Sequence, residues 1–384
     1  MASTPRPALK WEQDKLFTKA LQLKEVKGSG KFFKRFSIEG NQLPMYPTDD
    51  TAILYLNEEG PVKIDLNTGN RLWVAPIKSK TAPALSDGFA QMWLGDGVVF
   101  VPTEKSMQAV DVATGKLLWA KPPKFKSHVV QMAMTPQGLI VRGAPQYTDG
   151  PKPKADGKPF IDVIDPATGE TKWKKPFRDL DDATTFDIHG DQLYIVADGD
   201  MFAINLADGG SKAVTKVKFK GNEIPGRLEV MNDNYLLSAS QNLMLVDPSG
   251  SVKFHEYYSA PGQSGWIKVL STAAVMAVNA ASAANAYGQA QANPGTTYHY
   301  TLIGNPDLSR RFKASQSGSG FTSILTSVED GGKKGVGLVK LDKSTGKKVA
   351  EVILGDKTPE YQMDPIDNRL FFQRTDRQID CFAF

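Results

Sequence analysis

The chain repeats one arrangement of apolar and polar positions along most of its length. In each copy a short apolar run ends at Asp or Asn, a turn with Gly follows, and a second run begins. The clearest copies share the order Asp-x-x-Thr-Gly-x-x-x-Trp and occupy Ile64–Trp73, Val110–Trp119 and Ile164–Trp173. Short apolar runs bounded by turn residues predict strands, so each copy predicts a β-hairpin.

Each residue type in the repeat has a structural reason to be there. The Asp carboxylate can accept hydrogen bonds from backbone N–H groups about two residues on, which tightens the turn. Gly supplies the positive φ that closes the turn without a steric clash. The Trp is large enough to fill the gap against a neighbouring sheet. One hairpin cannot bury its apolar face alone, so the units must stack.

Weaker copies complete the series. They occupy Ile204–Gly209, Val246–Gly250, Ile303–Asp307, Leu341–Gly346 and the chain end at Ile379–Phe384. The eight anchor positions lie 38 to 57 residues apart, at 65, 111, 165, 205, 247, 304, 342 and about 383. A period in the forties with about four strands per unit is typical of a β-propeller. We predict an all-β fold, an eight-bladed β-propeller of four-stranded antiparallel blades.

The two chain ends suggest how the ring closes. The last blade lacks its outermost strand because the chain stops at Phe384, and Lys31–Phe36 has the composition of that strand. Pairing the N-terminal strand with the C-terminal blade would leave no free seam. We therefore predict one propeller over residues 31–384, with residues 1–30 as an N-terminal extension. The apolar spacing within residues 8–27 predicts a short amphipathic helix there.

Composition excludes several classes of protein. The chain of 384 residues is 41% hydrophobic, which is ample for a globular core, and its formal charge of +4 implies no polyanionic partner. The single cysteine, Cys381, excludes an internal disulfide, and its apolar strand makes an inert core thiol the expectation. Lysines cluster around Trp119 and Trp173, and we interpret them as a solvated face that blocks edge-to-edge pairing rather than a nucleic-acid site.

The N-terminus bears on localisation. No apolar run reaches 18 residues, and the first residues do not form a secretory signal. Met1-Ala2-Ser3 followed by Thr4–Pro7 is the kind of sequence that cloning leaves on a mature domain. On that interpretation a signal or lipid-anchor segment has been removed, and the protein is periplasmic or associated with the outer membrane. A natural cytoplasmic start is the alternative.

No catalytic, metal or cofactor motif is recognisable. The four histidines, at positions 128, 189, 255 and 299, are too scattered for any local metal-ligand spacing. The acidic turns at Asp179–Asp182 and Asp198–Asp200 lack the closing Glu of a calcium loop. We assign no catalytic, cofactor-binding or metal-binding residues and expect no cofactor.

Two long loops and the aromatic residues near them are the candidates for partner binding. The first loop is the Pro- and Gly-rich insertion at residues 144–154, and the second is the low-charge stretch at residues 280–295. Long loops on a rigid scaffold commonly carry binding, and Tyr and Trp are common interface anchors. The predicted partner-binding residues are Tyr147, Trp266, Tyr287, Gln289 and Tyr298. Packing between blades is the alternative role for these aromatic side chains.

The Asp-x-x-Thr-Gly-x-x-x-Trp copies resemble the PQQ-type propeller repeats, and the resemblance covers nearly the whole chain. That family includes quinoprotein alcohol dehydrogenases, BamB-like outer-membrane assembly proteins and sensor modules of bacterial kinases. The resemblance implies that an enzymatic relative would hold its quinone with a vicinal disulfide, a tryptophan floor and a calcium ion. This chain has one Cys and lacks the large insertions of those enzymes. It is therefore closest in character to the BamB-like, non-enzymatic branch.

Three functions follow from the resemblance. The first is a non-enzymatic protein-binding scaffold of the bacterial cell envelope, acting in outer-membrane protein assembly or secretion. The second is a quinone-dependent oxidoreductase, and the third is a ligand- or glycan-binding sensor propeller. The repeat residues themselves are structural and do not distinguish these functions. We favour the scaffold, with a protein partner in the cell envelope and no nucleic-acid partner.

Overall fold

The architecture is all-β in the computed structural model of the chain. The structure describes residues 7–12, 46–49, 52–56, 59–65, 67–77, 92–103, 105–147, 155–180, 183–261, 316–317, 320–330, 332–357, 359–364, 369–375 and 378–384. Within these ranges there is no α-helix, and the one helical element is a 3-10 turn at Lys220–Asn222. Among the same residues, none belongs to a helix with the length and apolar character needed to cross a bilayer.

Seven antiparallel sheets follow one another along the described chain. Sheet 1 contains β2 (Tyr46–Asp49), β3 (Ala52–Leu56), β4 (Pro61–Asp65) and β5 (Arg71–Val74). Sheet 2 contains β6 (Trp93–Gly95), β7 (Val98–Pro102) and β8 (Met107–Asp111). Sheet 3 contains β9 (His128–Thr135), β10 (Gly138–Ala144) and β13 (Phe160–Ile164), and a hairpin of β11 (Gln146–Tyr147) and β12 (Ala155–Asp156) interrupts it.

The remaining four sheets have four strands each. Sheet 4 contains β14 (Asp187–His189), β15 (Gln192–Ala197), β16 (Asp200–Asn205) and β17 (Ser211–Lys216). Sheet 5 contains β18 (Arg227–Met231), β19 (Asn234–Ser238), β20 (Asn242–Val246) and β21 (Val252–Tyr257). Sheet 6 contains β22 (Gln316–Ser317), β23 (Phe321–Asp330), β24 (Lys333–Asp342) and β25 (Lys348–Ile353). Sheet 7 contains β26 (Glu360–Asp364), β27 (Arg369–Thr375), β28 (Gln378–Ala383) and β1 (Pro7–Glu12).

The repeat turns have the geometry that their residues predict. In the copy at Asp111, the carboxylate accepts a hydrogen bond from the backbone N–H of Thr114 at 2.7 Å, and Gly115 has a φ of 71°. The Asp65, Asp165 and Asp342 carboxylates likewise accept from backbone N–H groups two and three residues on. Each of these turns joins the third strand of a sheet to its outer segment, so the hairpin prediction is confirmed.

Apolar clusters join every sheet to the next one in the described chain. One such cluster combines Phe100 and Trp119 of sheet 2 with Leu139 and Ile164 of sheet 3, and all four side chains are buried. Comparable clusters join sheets 1 and 2, 3 and 4, 4 and 5, 5 and 6, and 6 and 7. Face-to-face stacking of four-stranded meanders is the arrangement of a β-propeller.

In sheets 2 and 3 the outer segment pairs with the third strand only at isolated bridges. At sheet 2 these bridges join Val110 to Leu117 and Ser106 to Lys124, and at sheet 3 they join Ile164 to Thr171 and Ile161 to Phe177. Side chains replace part of the missing ladder, since Gln108 donates to the carbonyl of Trp119 and accepts from the N–H of Ala109. Four-stranded blades were predicted throughout. Here the outer strand of each sheet is reduced to two isolated bridges, and in sheet 2 the Gln108 amide also hydrogen-bonds to the backbone.

The N-terminal strand is present, but at a different position from the predicted one. Residues Pro7–Glu12 form β1 and pair antiparallel with β28, with Leu9 opposite Cys381 and Trp11 opposite Ile379. The place predicted for Lys31–Phe36 is therefore occupied by β1, and the helix predicted over residues 8–27 cannot begin at residue 8. Residues 31–36 lie outside the described residues. The apolar residues of Pro7–Glu12 are compatible with a strand as well as with a helix. The open edge of β28 favours the strand because it offers unpaired backbone groups.

Seven of the eight predicted anchors lie at or next to the end of a third strand. The remaining anchor, at Gly304, lies outside the described residues. Sheet 5 nevertheless contacts sheet 6 directly, through a cluster that includes Leu243, Ile324 and Leu341. The repeat count placed a blade built on Ile303–Phe312 between these two sheets. Because the sheets are in direct contact, such a blade does not separate them. The eight-blade count stays a prediction.

Candidate partner-binding face

The stack has two faces because every sheet is a meander. The turns that join first to second strands and third to fourth strands lie on one face, which contains the Asp-x-x-Thr-Gly turns and which we call the turn face. The turns between second and third strands, and the connections from one sheet to the next, lie on the opposite face, which we call the connecting face. The described ends of the insertion at residues 144–154 lie on the connecting face, because this insertion joins β10 to β13.

One of the five predicted partner-binding residues lies within the described part of the chain. Tyr147 ends β11 and pairs with Ala155 of β12, so it belongs to a hairpin on the connecting face of sheet 3. Trp266, Tyr287, Gln289 and Tyr298 lie outside the described residues.

The hairpin of β11 and β12, which we call the arm, is fastened to sheet 2. Asp156 forms an ion pair with Lys105, and the Ser127 hydroxyl donates to the carbonyl of Lys158 at 2.6 Å. Gly157 has a φ of 112°, and a Cβ placed there would lie 2.2 Å from the carbonyl oxygen of Lys126. Only glycine permits that approach. The arm base is consequently held in a defined position against its neighbour.

A buried polar cluster fastens the connection between sheets 4 and 5 on the same face. The Glu223 carboxylate accepts from the Ser240 hydroxyl, from the backbone N–H of Gln241 at 3.1 Å and from the Asn242 amide at 2.7 Å. Asn242 also contacts His255 at 2.7 Å and bonds to the backbone of Lys220. These groups tie the turn of sheet 5 to the incoming chain.

The pKa values in this cluster reflect burial. Burial raises the pKa of Glu223, and the hydrogen bonds from Ser240 and Asn242 oppose that rise. Burial also lowers the pKa of His255, and the nearby Lys220 acts in the same direction. Each Glu223 oxygen already accepts a hydrogen bond from the surrounding turn. The carboxylate therefore stabilises the loop, and its geometry indicates a structural clamp rather than a general base.

The chain also leaves sheet 5 and enters sheet 6 on the connecting face. The connection joins β21 of sheet 5 to β22 of sheet 6, and 54 residues lie between the described positions Pro261 and Gln316. This connection contains four of the predicted binding residues, and the arm contains the fifth. Both segments thus depart from one face of the stack.

No cluster suited to metal binding occurs in the ranges that the structure describes, where no three His, Cys, Asp or Glu side chains lie together. His128 and His255 are on different sheets, and His189 pairs with Asp233 on the turn face. The single thiol, Cys381, is buried in β28, as expected. The absence of catalytic and cofactor-binding residues stays a prediction.

Sequence reasoning missed one buried charged group. Glu229 of β18 binds Lys343 at 2.7 Å, across the boundary between sheets 5 and 6, and Arg227 of the same strand at 3.1 Å. Lys343 is only 1% exposed. A signal was present, because Lys343 follows the repeat Asp at a position where the clear copies have Leu66, Val112 and Pro166. A charge at an apolar repeat position predicts a buried partner.

Comparison with known proteins gives one family match. The family described as "Outer membrane protein assembly factor BamB" matches residues 58–302, which is more than half of the chain. No curated protein sequence matches the chain.

Similarity to solved structures is at the level of weak fold likeness. BamB from Moraxella catarrhalis is 13% identical, with 88% of this chain and 81% of that chain covered and a TM-score of 0.44. The WD40 β-propeller domain of Doa1 is 10% identical, with 88% and 91% covered and a TM-score of 0.39. Hydrazine synthase from Kuenenia stuttgartiensis is 12% identical, with 78% and 76% covered and a TM-score of 0.39.

Proposed function

Because the chain belongs to the family described as outer membrane protein assembly factor BamB, we propose that it is a non-enzymatic protein-binding scaffold of the bacterial cell envelope. In this proposal it acts in outer-membrane protein assembly or in secretion, and it is periplasmic or associated with the outer membrane. Membership of this family supports the scaffold function. The role in assembly or secretion and the compartment are parts of the proposal for this chain. No observation favours the oxidoreductase or sensor alternatives.

The observation that carries the proposal is the shared face of the two long connections. The arm with Tyr147 and the 54-residue connection both leave the connecting face, whose turns are fastened at Gly157 and Glu223. A rigid sheet stack that presents long segments from one side is a suitable docking platform. We therefore assign partner binding to the connecting face.

The closed ring belongs to the same proposal. Pairing of β1 with β28 supplies the outer strand of sheet 7 from the other end of the chain. Deleting residues 1–12 should therefore lower the unfolding midpoint of the whole stack, while replacing residues 1–6 with an unrelated sequence should not. If the deletion leaves the urea midpoint unchanged, β1 does not close the ring.

Site-specific crosslinking in cells tests the docking face. A photoreactive amino acid at the exposed positions Ala155 or Lys158 of the arm should trap one envelope protein. The matched positions Ala113 and Ala167, exposed on the turn face, should not trap it. Tyr147→Ala in the Lys158-labelled protein should reduce the adduct several-fold.

Two outcomes would contradict the proposal. Adducts from Ala113 and Ala167 alone would place the binding surface on the turn face. No adduct from any position, under conditions that trap known envelope complexes, would remove the scaffold function. The non-enzymatic assignment has its own check, since a quinone chromophore in protein purified from its native cells would contradict it.

A further inference from the structure

The outer segments of sheets 2, 3 and 4 carry positive charge without any negative charge. Residues 117–127 include three lysines, residues 171–178 include three lysines and one arginine, and residues 211–222 include four lysines. All eleven basic side chains are exposed, and these three segments contain no Asp or Glu. We call this surface the basic band.

The three segments are neighbours on the rim of the stack. The turn glycine of each sheet lies against the Trp of the preceding outer segment, as Gly169 does with Trp119 and Gly209 with Trp173. Each Trp also donates through Nε1 to a backbone carbonyl of the next turn, at 3.0 Å for Trp119 and 2.9 Å for Trp173. The basic segments are therefore held side by side, and their charges add.

Protection of sheet edges does not account for this charge. The outer segments of sheets 5 and 6 are edges as well, yet residues 252–260 and 348–357 together hold three lysines and three carboxylates. Lys348 there is paired with Glu351. Within the described part of the chain, no ion pair involves any residue of the basic band. Edge protection alone would distribute lysine over all the sheets.

Exposed leucines accompany the positive charge. Leu117 and Leu118, in the first segment of the basic band, are 45% and 40% exposed. Leu72, at the equivalent place on the adjoining outer strand of sheet 1, is 53% exposed. Large apolar side chains beside lysines are the combination that an interfacial membrane surface uses, with the apolar groups entering the headgroup region.

We propose that the basic band is a docking surface for an anionic lipid bilayer. Ten of its eleven charges are lysines, which act as hydrated point charges and need no fixed partner geometry. Protein interfaces are depleted in lysine and enriched in arginine, which favours lipid over an acidic protein. The charge complements phosphate headgroups, and the three leucines add apolar contact that a nucleic acid would not use. The surface lies on the rim, so it leaves the connecting face open.

Vesicle flotation with the full chain tests this proposal. The protein should float with vesicles that contain 30% phosphatidylglycerol in phosphatidylcholine at about 50 mM salt, and this binding should fall steeply at about 500 mM salt. The triple variant Lys121→Gln, Lys124→Gln and Lys126→Gln should weaken partitioning onto the anionic vesicles about 100-fold. Leu117→Ser with Leu118→Ser should weaken it at both salt concentrations.

The matched control removes three lysines from the other side of the stack. Lys253→Gln, Lys348→Gln and Lys357→Gln change the net charge equally, so they should alter the partition less than threefold. Equal losses in the two triple variants would overturn the proposal, as would equal binding to pure phosphatidylcholine vesicles. Tighter binding to single-stranded DNA or polyglutamate than to the vesicles would also overturn it. All variants are first checked for an unchanged unfolding midpoint.

Discussion

The boundary between sheets 2 and 3 and the boundary between sheets 5 and 6 use the same repeat but different side chains. At the first, Trp119 fills the gap, lies against Gly169 and donates through Nε1 to the carbonyl of Pro166 at 3.0 Å. At the second, Phe254 lies against Gly346 in the same way but has no N–H to donate. Lys343 and Glu229 supply a buried ion pair there instead.

The difference shows what the repeat needs from each position. An aromatic ring over the turn glycine is kept at both boundaries, since it fills volume between sheets. The polar link differs, because the indole N–H is replaced by a lysine that reaches the inner strand of the preceding sheet. A buried ion pair is weak support for stability by itself, but loss of one partner is costly. The boundary between sheets 5 and 6 should thus be the more fragile to single substitutions.

The largest expected effect is at Glu229. Glu229→Ala would leave the buried Lys343 without the carboxylate it is paired with, so the free energy of unfolding should fall by about 3–5 kcal/mol. Urea denaturation measures it. The triple variant Arg227→Met, Glu229→Leu and Lys343→Met removes all three charges and should recover most of the loss. A loss below about 1 kcal/mol in Glu229→Ala would show that the ion group does not hold this boundary.

The next effect separates the aromatic contact from the turn. Gly169 and Gly97 have φ angles of 79° and 74°. Of the two, only Gly169 faces a ring, and a Cβ added there would lie 2.8 Å from Trp119. The backbone conformation alone makes an Ala substitution cost about 1–2 kcal/mol at either site. Gly169→Ala should cost about 1–3 kcal/mol more than Gly97→Ala because Trp119 must move. Equal urea midpoints for the two variants would mean that the ring yields without strain.

The smallest effect is a contrast in pH dependence. Burial raises the pKa of Asp162 to about 6, above its unfolded value, so ionising it lowers stability as the pH rises from about 4 through 6. For Glu229, burial acts to raise the pKa, but Arg227 and Lys343 outweigh it and the pKa is lowered. Its contribution is therefore present above the unfolded pKa and is lost as the pH falls through the folded value.

Asp162→Asn tests the sign. The stability of this variant relative to the parent chain should improve by on the order of 1 kcal/mol between pH 4 and pH 7, because Asn does not ionise. Glu229→Gln should show the reverse trend, with its deficit shrinking as the pH falls toward 3. Urea midpoints at several pH values give both slopes. Parallel slopes for the two variants would contradict the assigned environments.

The fold and the candidate face differ in how far the sequence predicted them. The hairpins at Asp65, Asp111 and Asp165 were predictable because Asp, Gly and Trp act locally or on the next copy. The reduced outer strands of sheets 2 and 3 were not, since strand pairing depends on how the segments meet in the fold, and at sheet 2 the Gln108 amide replaces part of the ladder. Of the predicted site residues, Tyr147 alone lies in the described chain. The face of the stack on which it lies was decided by the order of the strands in sheet 3.

Local chemistry in the sequence determined the repeat, the turn conformations, the apolar strands and the family. Only the tertiary structure decided that Pro7–Glu12 pairs with β28, that sheet 5 contacts sheet 6 directly, and that Lys343 meets Glu229. The positions of Lys343 and Glu229 are 114 residues apart. Contacts at such separations depend on which sheets become neighbours, and a periodic pattern specifies each unit without specifying its neighbour.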